Sequence, residues 1–160
     1  MTETDWNSKI RDARERDVPA IVALYADDPF GHARERAAEP LPAPYWTAFE
    51  AIRTDPRHRL VVIDDGEIAA TLQLSFLPHL VRAGTERAKI EAVRVAPQRR
   101  GAGLGRALLE WAIQEARQRG CGIVQLTTDA SRPDAHRAYE ALGFVATHVG
   151  MKLALDPTAR

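Results

Sequence analysis

Three glycines in five positions, Gly101, Gly103 and Gly105, separate a strand-like run from a long amphipathic one, and few folds place glycines this way. Before them, Val93 and Val95 alternate with Arg94 as the end of a strand would. After them, Leu104, Leu108, Trp111 and Ala112 recur at helical spacing. The glycines therefore sit at a strand-to-helix turn. A helix start carries free amide N–H groups and a partial positive charge, and missing Cβ atoms let an anion come close to those amides. Arg99, Arg100 and Arg106 could add charge-assisted contacts to a phosphate. The plainer alternative is a tight turn flanked by solvated arginines.

Two phosphate-binding loops fail on these residues. A P-loop closes with Gly-Lys-Ser/Thr, but Gly105 is followed by Arg106 and Ala107. The dinucleotide fingerprint G-x-G-x-x-G counted from Gly101 finds Arg106 at its third glycine, and counted from Gly103 finds Leu108. A third pattern fits. Gln98, Arg99, Arg100, Gly101, Ala102, Gly103 satisfies Gln/Arg-x-x-Gly-x-Gly/Ala, the acyl-CoA signature. Residues 134–144 add a second motif that ends in Tyr139, Glu140, Ala141, Leu142, Gly143, Phe144, a Tyr-x-x-x-Gly-Phe pattern. On these two motifs, in this order and some 30 residues apart, the chain resembles the GNAT superfamily of acetyl-CoA-dependent N-acyltransferases.

The order of elements agrees with that resemblance over nearly the whole chain. Residues 8–13 read as a first strand, and Asp17 as the cap of a helix with Pro19 in its first turn and Ile21, Leu24 and Tyr25 on its apolar face. A second helix over 44–54 repeats Tyr45, Phe49 and Ile52. Residues 59–64 and 68–76 flank an Asp-Gly pair, a strong hairpin signal. A strand over 89–96, a helix over 104–119 stopped by Gly120, and a buried strand over 121–128 follow. Ser131 and Asp134 have capping-box spacing ahead of a short helix with Ala135, Ala138, Tyr139 and Leu142 on one face. Residues 144–155 alternate as a final strand or pair of strands, and 156–160 read as a frayed tail. The fold class expected is α/β, a mixed sheet with helices on both faces. It forms one domain over 1–160, with its core at about 8–155.

The resemblance implies acetyl-CoA as cosubstrate and direct attack by a primary amine in a ternary complex. Main-chain groups of Val93, Arg94 and Val95 would hold the pantetheine arm, and residues 99–106 (Arg99, Arg100, Gly101, Ala102, Gly103, Leu104, Gly105, Arg106) the pyrophosphate. An N–H near Val93 would face the thioester oxygen. Glu91 could take the amine's proton, or could instead be a salt-bridge partner of Lys89 or Arg94. Tyr139 could return a proton to the departing thiolate, or could simply pack. The second motif commonly begins with asparagine seven residues before its tyrosine; here Arg132 stands there and would contact a phosphate or solvent.

Basic and acidic residues balance at 22 each, which argues against an RNA-binding surface and so against acetylation of an aminoacyl-tRNA. An acyl-CoA-binding regulator without turnover is the other alternative. The start of the chain lacks a signal-peptide run and no apolar stretch is long enough to span a membrane, so a cytoplasmic protein is expected. Cys121 is the sole cysteine and reads as a buried strand residue. The five histidines never stand three to five apart, and no metal is expected. For the acceptor, Phe30, Tyr45, Trp46 and Phe49 could wall a pocket, Glu35, Glu39 and Glu50 could attract a cation, and Gln73 could face it; equally, the aromatics could be core and the glutamates face solvent. The partner expected is a small-molecule or peptide amine, with a homodimer left open.

Overall fold

The Asp-Gly pair forms the expected hairpin: His58–Asp64 (β2) and Ile68–Leu77 (β3) run antiparallel, with Gly66 in the left-handed region at φ 87°. In this computed structural model residues 5–29 and 31–156 are described. Phe30, expected in the acceptor pocket, and residues 157–160 of the expected tail lie outside them. Around the hairpin, Ile10–Asp12 (β1), Arg87–Val95 (β4) and Ile123–Leu126 (β5) complete a five-stranded sheet of order β1-β2-β3-β4-β5. All neighbours are antiparallel except β4 and β5, which are parallel.

Helices cover both faces. Val18–Ala26 (α1) and Ala43–Thr54 (α2) bury Val18, Val22 and Phe49 on one side, with Leu60 of β2 packed against them. After a single turn at Val81–Gly84 (α3), the helix Leu104–Arg119 (α4) buries Leu104, Leu108, Leu109, Ala112 and Ala116 on the other side. There it meets Leu72, Leu74 and Phe76 of β3 and Ala88 and Ile90 of β4. Each fully buried leucine contributes roughly 1.5–3 kcal/mol. Gly120, at φ 83°, ends α4 where the sequence stops it. Pro133–Glu140 (α5) follows β5.

Four local expectations are corrected. The first strand begins at Ile10, because Trp6–Lys9 curls into a 3-10 turn. Asp17 does not cap α1; its carboxylate accepts from Arg11 and from the Arg14 amide, closing the short turn before the helix. Ser131 likewise turns to Asp129, and α5 starts without a capping box. Residues 144–155 form no strand. Val149, Met151, Leu153 and Leu155 stand 84–92% exposed, and the outer edge of β5 has no strand partner among the described residues.

Asp17 ties the start of α1 to β1 and, through Arg11, to Asp64 at the end of β2. Burial pushes its carboxyl up, but the bonds from Arg11 and Arg14 more than offset this and leave it below the ordinary range. Its stabilising contribution is therefore present above the unfolded carboxyl value of about 4 and is lost as pH falls through the lower folded value. Asp17→Ala should cost about 1.5–3 kcal/mol at pH 7, because Arg11 keeps only Asp64 as a carboxylate partner and the Arg14 amide loses its acceptor. Urea unfolding at pH 7 and pH 3 checks this, with the difference between the two proteins shrinking at the lower pH.

Candidate active site

β4 and β5 pair only from Arg87↔Ile123 to Ile90↔Leu126; β5 then ends while β4 continues to Val95. Just past the split, Ala92 takes φ 54°, and the β3–β4 register slips between Thr71 and Gln73. A non-glycine residue there marks a bulge that re-aims its neighbours. The β5-facing edge of β4 from Glu91 to Val95 is thus left without a strand neighbour, opening a cleft. One chamber of it, about 350 Å³, is lined by Val93, Gly105, Arg106, Leu109, Ala135, Ala138, Tyr139 and Leu142. Strand, glycine turn and second motif, distant in sequence, meet there.

The glycine turn leaves β4 through a 3-10 turn at Pro97–Arg99 and enters α4 with Gly101 at φ 79° and Gly103 at φ 85°. The first helical bond joins the Ala107 amide to the Gly103 carbonyl, so the amides of Leu104, Gly105 and Arg106 precede the helix's own ladder. Ala102, beside them, presents its carbonyl to the indole of Trp6 at 2.9 Å. Arg100 pairs at 3.5 Å with Asp27, and Arg106 at 2.7 Å with Glu110; both arginines are more than half exposed. Arg99 is engaged by Asp65, which also takes Lys9.

Tyr139 lies on the α5 wall, half-buried, its ring edge-on to Phe144 at 6.1 Å. Burial raises its phenol above the ordinary value, and the charges of Arg132 and Arg94 pull against that rise. Arg94 and Arg132 approach the buried Asp28 at 3.0 and 3.4 Å, so one carboxylate links the end of α1 to β4 and to the entry of α5. Glu91 is exposed, 3.1 Å from Lys89, on the sheet face away from α4 and directly opposite Gln73. The salt-bridge expectation for Glu91 is met on the Lys89 side.

Of the two readings of the aromatics, the core one holds for Tyr45, Trp46 and Phe49. Phe49 is buried between α1 and α2, with Tyr45 and Trp46 packed around it. The Tyr45 hydroxyl donates to Glu35 and accepts from the Arg36 amide; Glu50 is taken up by Arg53, and Glu39 is exposed. Sequence reasoning missed Trp6, Asp28 and Asp65. Only Asp65 carried a signal, as part of the hairpin turn. Among the described residues no group of three His, Cys, Asp or Glu could hold a metal, and no helix is long and apolar enough to cross a membrane.

A parallel strand pair that splays beside a glycine turn is the framework of an acyltransferase, and comparison with known proteins agrees. The chain belongs to the acetyltransferase (GNAT) family, whose profile matches residues 9–144. It is 35% identical over 108 residues to the aminoalkylphosphonate N-acetyltransferase of Salmonella typhimurium, covering 67% of this chain and 70% of that enzyme. It is also 35% identical over 133 residues to the streptothricin acetyltransferase of Streptomyces lavendulae, covering 81% of this chain but only 61% of that enzyme. A structure from Bacillus halodurans, named a transcriptional regulator, superposes with TM-score 0.89 at 46% identity, covering 91% of this chain and 98% of that one. A Trypanosoma brucei acetyltransferase does so with TM-score 0.72 at 29% identity, again covering 91% and 98%.

The two turn glycines differ in what they demand. At Gly103 a side chain would meet no atom within 4 Å, but φ 85° penalises any L-residue; at Gly105 a Cβ would sit an ordinary 3.6 Å from Val95 Cγ2. Gly103→Val should destabilise the ligand-free protein by about 1–2 kcal/mol, whereas Gly105→Ala should be neutral or slightly stabilising. Melting curves of the two variants test this.

Proposed function

We propose that this protein transfers an acetyl group from acetyl-CoA to a primary amine of a small molecule, by direct attack in a ternary complex. The observation that carries the reading is the cleft itself, where Val93, the free amides at the head of α4, and Tyr139 converge. The amides of Leu104, Gly105 and Arg106 would receive the pyrophosphate, with Arg100 and Arg106 exchanging exposed carboxylate partners for phosphate. Main-chain groups along Val93, Arg94 and Val95 would hold the pantetheine arm, and an N–H at the bulge would face the thioester oxygen.

Reaction requires a neutral amine, and an alkyl amine of pKa about 10.4 must lose a proton near neutrality. Glu91, exposed on the sheet face away from α4 and directly opposite Gln73, would take it directly or through water. As the tetrahedral adduct collapses, the C–S bond breaks and the thiolate takes the phenolic proton of Tyr139. Relatives named for aminoalkylphosphonate, streptothricin and glucosamine 6-phosphate support a small polar amine over a peptide. The balance of charge supports a small-molecule acceptor over an RNA.

The Bacillus halodurans neighbour favours a second reading, an acyl-CoA-binding regulator without turnover. A thiol-release screen with acetyl-CoA against a panel of amino-phosphonates, amino sugars, antibiotics and peptides separates the two: turnover supports the enzyme, and binding without turnover the regulator. On an accepted amine, Tyr139→Phe should lower kcat about 10²-fold with little change in acetyl-CoA affinity or melting temperature. Glu91→Gln should do the same for alkyl amines; unchanged rates would assign the proton to water. The exposed apolar alternation of residues 145–155 beside an open sheet edge supports a homodimer, which light scattering would refute by finding a monomer.

A further inference from the structure

The turn that would hold the pyrophosphate is braced from the far end of the chain. Trp6 lies 96 residues before Ala102, yet its Nε1–H donates to the Ala102 carbonyl at 2.9 Å. The Arg99 guanidinium lies 5.5 Å and the Lys9 ammonium 5.9 Å from the Trp6 ring centre, and both cations are held by Asp65 in the β2–β3 turn. Trp6 itself packs against the main core. Ala102 stands between two left-handed glycines, the backbone type with the most freedom to lose. Fixing its carbonyl fixes the Ala102–Gly103 peptide plane, which leads directly into the amides at the head of α4.

We infer that Trp6 is a positioning residue for the acyl donor: its indole N–H orients the Gly101–Gly103 turn so that the amides of Leu104 and Gly105 meet the pyrophosphate. This rests on the acetyl-CoA reading above. It also gives Arg99 a structural part, stacked on Trp6 and neutralised by Asp65, and leaves Arg100 and Arg106 as the mobile cations of the turn. The effect is specific to the phosphate end of the donor, because the pantetheine arm would lie along β4 and not on this turn.

The test replaces Trp6 by β-(3-benzothienyl)alanine, which keeps the bicyclic ring and exchanges only N–H for sulfur, alongside Trp6→Phe. Dissociation constants are measured by calorimetry for CoA and by displacement for S-acetylpantetheine, which lacks the pyrophosphate, with melting temperature as a control on folding. The CoA constant should rise about fivefold in the benzothienyl protein, the loss of one ordinary hydrogen bond, while that for S-acetylpantetheine stays within twofold. Unchanged CoA affinity, or equal weakening of both ligands, would overturn the positioning role. Failure of the unsubstituted protein to bind CoA would instead overturn the donor reading, and this inference with it.

Discussion

In the proposed reaction every step depends on β4 continuing past the end of its pairing with β5 at Ile90. Where the shorter strand of a parallel pair ends, the main-chain groups along the longer one's freed edge must find other partners. Here the split coincides with a bulge at Ala92, where a positive φ on a non-glycine residue costs of order 1–3 kcal/mol. The buried row of Leu72, Leu74, Ala88 and Ile90 under α4 holds the strands firmly enough to sustain that strain. In the proposed reaction the freed edge of β4 is the seat of the pantetheine arm. Packing of α4 thus sustains the opening and also sets the position of its own N-terminus beside it.

Balanced net charge conceals an ordered distribution near the cleft. Each arginine there has an acidic neighbour: Arg94 and Arg132 at Asp28, Arg99 at Asp65, Arg100 at Asp27, Arg106 at Glu110. The exposed pairs contribute little and can exchange partners for an arriving phosphate at small cost. Asp28 is different because it is buried, so its arginines are fixed in place and their charges act at constant distance on Tyr139. In the proposed reaction a chain of zero formal charge would bind a polyanion through a few exposed cations, while those held at the buried Asp28 serve structure.

Regular elements were legible in the sequence where periodicity and glycine chemistry agree. The bounds of α4 match to the residue because Gly103 and Gly120 punctuate a clear apolar stripe, and the β2–β3 hairpin follows from Asp65 and Gly66. Capping residues were misread, since Asp17 and Ser131 found nearer partners than the helix ends assigned to them. Tyr45, Trp46 and Phe49 looked equally suited to a pocket or a core, and only the placement of α2 against α1 decides for the core. Motifs brought Gly105, Val93 and Tyr139 into one site, but they are blind to Trp6, whose contact spans 96 residues. Alternation over 144–155 is a true signal for a strand without a guarantee of a partner.

Tyr139 shows why packing and chemistry need not be rival roles. Its ring meets Phe144 and lines the cleft, and the same burial that makes it a packing residue raises its phenol. An acid is useful near neutrality only if it still holds its proton when the thiolate forms, so burial acts in the required direction. Arg132 and Arg94 act in the other direction and moderate that rise. Because Asp28 fixes both arginines, the balance is set jointly by α1, β4 and the entry to α5. In the proposed reaction, a residue far from the reacting atoms would therefore alter the acid without touching it.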